Sequence, residues 1–205
     1  MVRTTPEQAR RSRGPRRLPR RVIAAGTVLI AGSLAATLIA HAASPPSPRP
    51  APGAPPSPRP AGYLLVARDA HFTALFPRKP LRIQQTAGTT TIIVYLADLP
   101  GYAVGIICAP VPPPGRIHLD RAINLAATAL PGGQVISRHR LTYRGQPAED
   151  ATITVLGEPG QIRVVALGTS AYLFEGFGPT TASFTPDYTT LLNTFTPHPH
   201  PGTTC

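Results

Sequence analysis

Hydrophobic and polar positions alternate along much of the chain. In His71–Phe76, residues Phe72, Ala74 and Phe76 share one side of a two-residue period, which predicts a half-buried strand ended by Pro77 and Pro80. Thr89–Ala97 (TTTIIVYLA) and Tyr102–Ala109 (YAVGIICA) are β-branched and aromatic runs. Asp98-Leu99-Pro100-Gly101 between them reads as a hairpin loop. Gln134–Tyr143, Ala148–Leu156, Gln161–Gly168 and Ala171–Phe177 continue the series. Their separators read as Arg144-Gly145-Gln146-Pro147, Glu158-Pro159-Gly160 and Gly168-Thr169-Ser170. Connections this short join antiparallel neighbours, because a parallel crossover needs a dozen residues or more. Arg138, His139 and Arg140 break the apolar pattern of their strand, which is expected to be half exposed.

Two segments carry a helical period instead. In His118–Leu130 the apolar residues Leu119, Ala122, Ile123, Ala126 and Leu130 recur at helical spacing, and Pro131-Gly132-Gly133 stops the run. A second helix is expected at Asp187–Asn193, after Pro186 and before Phe195. The order β-β-β-α-β-β-β-β-α predicts an α+β domain, an antiparallel sheet with helices packed on it, from about Gly62 to Pro197.

The N-terminal region follows different rules. Val22–Ala40 is nineteen residues without a charge. As a helix it would rise about 28 Å, close to the ~30 Å of bilayer hydrocarbon. Basic residues flank it on one side only, which predicts a cytoplasmic tail (1–21), a transmembrane helix or signal anchor (22–40) and an extracytoplasmic remainder. The alternative is a secreted protein, cleaved after Ala42, because Ala40-His41-Ala42 fits an A-x-A site. Gly32, Ala36 and Ala40 stand four apart and offer a small-residue helix face, a spacing that a span this rich in small residues also produces by chance.

Residues 41–61 form a Pro-rich linker in which Pro45–Ala51 and Pro55–Ala61 repeat the heptad PPSPRPA. Proline fixes φ and removes the backbone donor, so residues 44–60 are expected to form a polyproline II spacer of about 50 Å. The formal charge of the chain is +11, but its location removes the obvious inference. Eight arginines against Glu7 place most of it in residues 1–21, and the part from residue 62 onward is nearly balanced. A nucleic-acid-binding face on the domain is not expected.

Certain pieces of the domain resemble a known family. Phe72-Thr-Ala-Leu-Phe-Pro-Arg-Lys-Pro80 looks like the opening F-x-x-x-F-P-x-x-P of PsbP-like domains. Tyr102-Ala-Val, Gly145-Gln146-Pro147-Ala148, Tyr172-Leu-Phe and Leu192-Asn-Thr-Phe195 sit where that pattern has them. The resemblance covers about residues 62–197 and implies an α/β/α sandwich around an antiparallel sheet. That fold is shared with the photosystem II oxygen-evolving accessory protein and a Ran-binding nuclear import factor. Similar domains occur in actinobacterial membrane-anchored proteins and lipoproteins of unassigned role. Such relatives bind partners rather than catalyse reactions, and no functional residue is carried over to this chain. One Lys against nineteen Arg, with abundant Ala, Pro and Gly, independently fits a GC-rich bacterial genome.

The residues offer little chemistry. Cys108 and Cys205 are the only cysteines, and an exported domain permits a disulfide between them. The alternative is a buried small residue at 108 and a free thiol in a flexible tail (198–205). His198, His200 and Cys205 suit a soft metal by type, but the prolines beside His200 do not converge them, so no metal site is expected. Ser137 and His139 share a strand face, and Glu149 or Asp150 on the next strand supplies an acid. No nucleophile turn, phosphate loop, dinucleotide fingerprint or zinc spacing accompanies them, so neither a catalytic site nor a cofactor is expected. The expected function is a membrane-anchored binding or accessory module recognising an envelope protein noncovalently. The alternatives are a carrier of a small apolar ligand such as a lipid, held in a groove between sheet and helix, and, more weakly, an extracytoplasmic hydrolase.

Overall fold

The computed structural model describes residues 62–87, 89–111, 117–198 and 205. The expected basic tail, apolar span and proline-rich linker lie outside the described residues. Among the described residues no helix is long and apolar enough to cross a membrane.

In chain order the elements are β1 (Tyr63–Ala67), β2 (Phe72–Phe76), β3 (Leu81–Ala87), β4 (Thr90–Leu99), β5 (Tyr102–Pro110), α1 (Leu119–Ala129), β6 (Gln134–Tyr143), β7 (Gln146–Val155), β8 (Glu158–Leu167), β9 (Ser170–Phe177), α2 (Thr181–Thr194) and β10 (Thr196–Pro197). Seven strands form one sheet in the order β3-β4-β5-β9-β8-β7-β6, and β1-β2-β10 form a second, smaller sheet. Every pairing is antiparallel. The short connections dictate this. Arg144-Gly145 and Leu156-Gly157 each hold positive φ at both residues (52° and 76°, 52° and 84°), the twist that matches two flanking strands in a tight hairpin.

These turns lie earlier than the separators read from the sequence. Gln146-Pro147 belongs to β7 and Glu158-Pro159-Gly160 to β8. The two prolines are tolerated because of where the ladders end. Pro147 faces Thr142 and Pro159 faces Thr154, each one step outside the ladder on the strand's other side, which begin at Ala148–Val165 and Gly160–Phe177. The Pro159 carbonyl still accepts from the Gly178 N–H at 3.3 Å, so each proline ends a ladder rather than interrupting one.

Alternation divides the large sheet into two faces. On one, Tyr95, Ile106, Tyr172 and Phe174 pack against Phe72 and Phe76 of the small sheet and Phe184 and Leu191 of α2. On the other, Ala151, Ile153, Ile162 and Val164 pack against Ile123 and Ala127 of α1. The helices thus lie on opposite faces. Helix α2 begins at Thr181, six residues before the expected start, and carries Pro186 inside it. Phe184 is fully buried and rests on Gly176, where a Cβ would stand 2.7 Å from its ring. That close contact between helix and strand draws the first turns into the helix despite the proline.

The quoted motif residues converge in the core. Phe195 meets Phe174, Tyr172 and Phe72 with ring centroids 4.9, 5.0 and 5.4 Å apart. Tyr143 joins this cluster at 5.6 Å from Phe174, and its hydroxyl donates to the Leu192 carbonyl at 2.6 Å. Arg144 donates to the Asn193 carbonyl at 2.8 Å. Helix α2 has no basic residue in its last turn, so a residue from a distant hairpin supplies the cation that its C-terminus favours.

Candidate functional site

The strand bearing Arg138, His139 and Arg140 is the rim of the sheet. Among the described residues β6 pairs only with β7, and most of its side chains are exposed on both faces. Ile136, an apolar side chain, is 61% exposed. A register irregularity between Val135 and Ser137 resets the alternation, so Val135 packs toward α1 while Ser137, His139, Leu141 and Tyr143 share the α2 face.

Register decides what becomes of the hydrolase reading. His139 lies directly across from Asp150, and Arg140 from Glu149. Successive residues of a strand point to opposite faces, so the two acids separate. Only Asp150 shares a face with Ser137 and His139. Its carboxylate is gripped by Arg163, Nε to Oδ1 at 2.5 Å and the second guanidinium nitrogen to Oδ2 at 2.7 Å. Burial is the largest influence on the Arg163 charge and works against it, but the hydrogen bond and the negative charge of Asp150, with nearby tyrosines, together raise its pKa. The guanidinium also lies 4.9 Å from the centre of the Tyr143 ring. Asp150 therefore serves as the counter-ion of a half-buried arginine. No hydrogen bond joins it to His139 or Ser137.

Glu149 faces the α1 side and is 2% exposed, with Arg138 at 3.9 Å and Arg140 at 3.7 Å. Its Oε2 is buried with no hydrogen-bond partner. Arg138 turns to α1, donating to the Asp120 carbonyl at 3.4 Å and to Asn124 Oδ1. Arg140 reaches into solvent, with 81% of its side chain exposed.

Cys108 is fully buried in β5 and is bonded to Cys205, their Cα atoms 6.0 Å apart. His198 is held by Thr73 at 2.8 Å and donates its backbone N–H to the His71 carbonyl at 2.7 Å; His200 lies outside the described residues. Among the described residues no group of three or more His, Cys, Asp or Glu is placed to hold a metal ion.

Sequence reading passed over Glu175, although a lone acid in the run Tyr172-Leu-Phe-Glu-Gly-Phe177 was its signal. It sits mid-sheet between Gly105 and Ile162 on the neighbouring strands, 7% exposed. A Cβ on Gly105 would lie 3.1 Å from its Oε1, so the glycine leaves the carboxyl its space. Burial pushes its pKa from 4.5 up to about 7. Below pH 4.5 the folded and unfolded chains are both protonated there and the group costs nothing. Between about 4.5 and 7 the unfolded chain ionises first, so stability falls as pH rises and levels off above 7. Glu175→Gln is expected to stabilise the protein by roughly 3 kcal/mol at pH 8 and to leave it nearly unchanged at pH 4. Urea denaturation at both values checks this; an equal effect at the two would show that ionisation is not the cause.

The described architecture is an α+β domain built on one antiparallel sheet with a helix on each face. No family model and no curated protein matches the chain. Among solved structures it is similar to cyanobacterial PsbP (CyanoP) from Synechocystis, at 10% identity, covering 73% of this chain and 99% of that one, with a TM-score of 0.49. It is also similar to PA94 from Pseudomonas aeruginosa, a protein of unknown function described as a putative regulator, at 14% identity, covering 68% of this chain and 99% of that one, with a TM-score of 0.41. The first belongs to the family that the motif order resembles.

Proposed function

We propose that the protein is a single-pass, membrane-anchored, extracytoplasmic module that binds an envelope protein noncovalently. One observation supports this above the others: the rim strand β6 is left uncovered at its edge and over most of both faces, while its neighbours are packed. The chemistry there is recognition chemistry, since the one acid facing Ser137 and His139 is committed to Arg163. The anchoring rests on Val22–Ala40 and the arginines before it, and a bridge between Cys108 and Cys205 suits an oxidising compartment.

Crosslinking in intact cells tests the reading. A photoreactive residue placed at Ser137 of the full chain is expected to give a discrete adduct with an envelope protein. Lipid in an organic extract of the purified chain, with no protein adduct from any position, would favour the carrier instead. A mature species beginning at Ala43 would replace the anchored form by a secreted one.

A further inference from the structure

The Arg144-Gly145 turn sets the phase of the β6–β7 hairpin. Tyr143 and Gln146 flank it as a hydrogen-bonded pair, and open and bonded pairs alternate from there. Thr142–Pro147, Arg140–Glu149 and Arg138–Ala151 are then the open pairs. Pro147, which has no N–H to exchange, fits that phase. In an open pair the backbone N–H and C=O point away from the partner strand. Arg138, Arg140 and Thr142 therefore turn theirs outward, where among the described residues no strand receives them.

The same stretch carries unmatched charge. Arg138 and Arg140 share one carboxylate, Glu149, at 3.9 and 3.7 Å, neither a hydrogen-bonding distance. The edge thus joins a row of unused backbone donors and acceptors to a net positive face. A second copy of this chain is a poor occupant, because two β6 edges would bring these arginines against each other, and like charges across strands repel. An acidic segment reverses that sign.

We propose that the outer edge of β6 binds an extended, acidic segment of a partner protein as an added strand, with carboxylates at alternate positions meeting Arg138 and Arg140. This rests on the binding-module reading above and names the partner's chemistry. Main-chain bonds supply the attachment, and the two guanidinium groups select the sequence.

The first probe is a fluorescein-labelled peptide, Thr-Glu-Val-Glu-Val-Glu-Thr, titrated by anisotropy against the full chain in detergent. It is expected to bind, with its lysine counterpart weaker by about tenfold or more. The Arg138→Glu/Arg140→Glu chain is expected to invert that preference. A peptide methylated on alternate backbone nitrogens keeps its charge but loses donors, and it is expected to bind about tenfold more weakly; this arm uses the unaltered chain and stands even where the double variant does not fold. Absence of binding, a preference that ignores the charges, or full affinity of the methylated peptide would each overturn strand addition. In cells, Ile136→p-benzoylphenylalanine is expected to crosslink to a protein segment with acids at alternate positions. Adducts formed only from Leu64 on the small sheet would overturn strand addition and leave the binding-module reading intact. Absence of adducts from every position overturns both. An adduct between two copies of the chain overturns the acidic partner.

Discussion

Opening the Cys108–Cys205 bridge is expected to lower the free energy of unfolding by about 4–5 kcal/mol. The bridge closes a loop of 97 residues, and in the chain-entropy account a loop of about 100 contributes ~4.7 kcal/mol by restricting the unfolded chain. With about 140 residues in the folded part, that corresponds to a fall in Tm on the order of 15 °C. Cys205→Ser removes the bridge at its partly buried end and leaves the fully buried Cys108 in place. The melting temperature of this variant should match that of the unaltered protein in reductant. Identical melts with and without reductant would mean that no bridge forms.

Phe195→Ala is expected to cost about 3–5 kcal/mol, the range for emptying a buried aromatic site. Phe195 is fully buried where α2 ends, and its ring meets Phe174, Tyr172, Phe72 and, at 6.4 Å, Tyr143. Those neighbours come from the small sheet and from β9 and β6 of the large sheet. One deletion therefore loosens contacts among the small sheet, the large sheet and the end of α2. Phe195→Leu should recover much of the loss, because it keeps most of the apolar volume. Denaturant titration of both variants checks this, and a loss below about 1 kcal/mol for the alanine variant would mean that the site collapses around the gap.

The buried strands were legible because each carried its own period. Phe72, Ala74 and Phe76 are all fully buried, as their spacing predicts. Two edge strands were not legible. The sequence Tyr63-Leu-Leu-Val-Ala67 is short and mostly exposed, and Leu81–Ala87 is broken by Arg82, Gln84 and Gln85. An edge strand need not alternate: the first is apolar throughout yet mostly exposed and the second is interrupted by polar residues, so neither sustains a two-residue period. The two-residue β10 has no local signature at all. Pro186 misplaced the start of α2, since a proline reads as a first-turn residue and nothing local reports that Phe184 is anchored on Gly176. The rim was visible in the triplet Arg138-His139-Arg140. Which of Glu149 and Asp150 faces Ser137 and His139, and the pairing of Asp150 with Arg163, depend on register across three strands, which is not a local property.

The small sheet also determines how the domain responds to tension. Any load applied through the N-terminal segment enters the described structure on the outermost strand, β1, which five residue pairs from Tyr63–Phe76 to Ala67–Phe72 and the core contacts of Leu65 and Ala67 hold in place. The link from Cys108 to Cys205 lies beyond that point and does not share the strain. A tug from that side should peel β1 first and free a few residues, leaving the seven-stranded sheet and its rim intact.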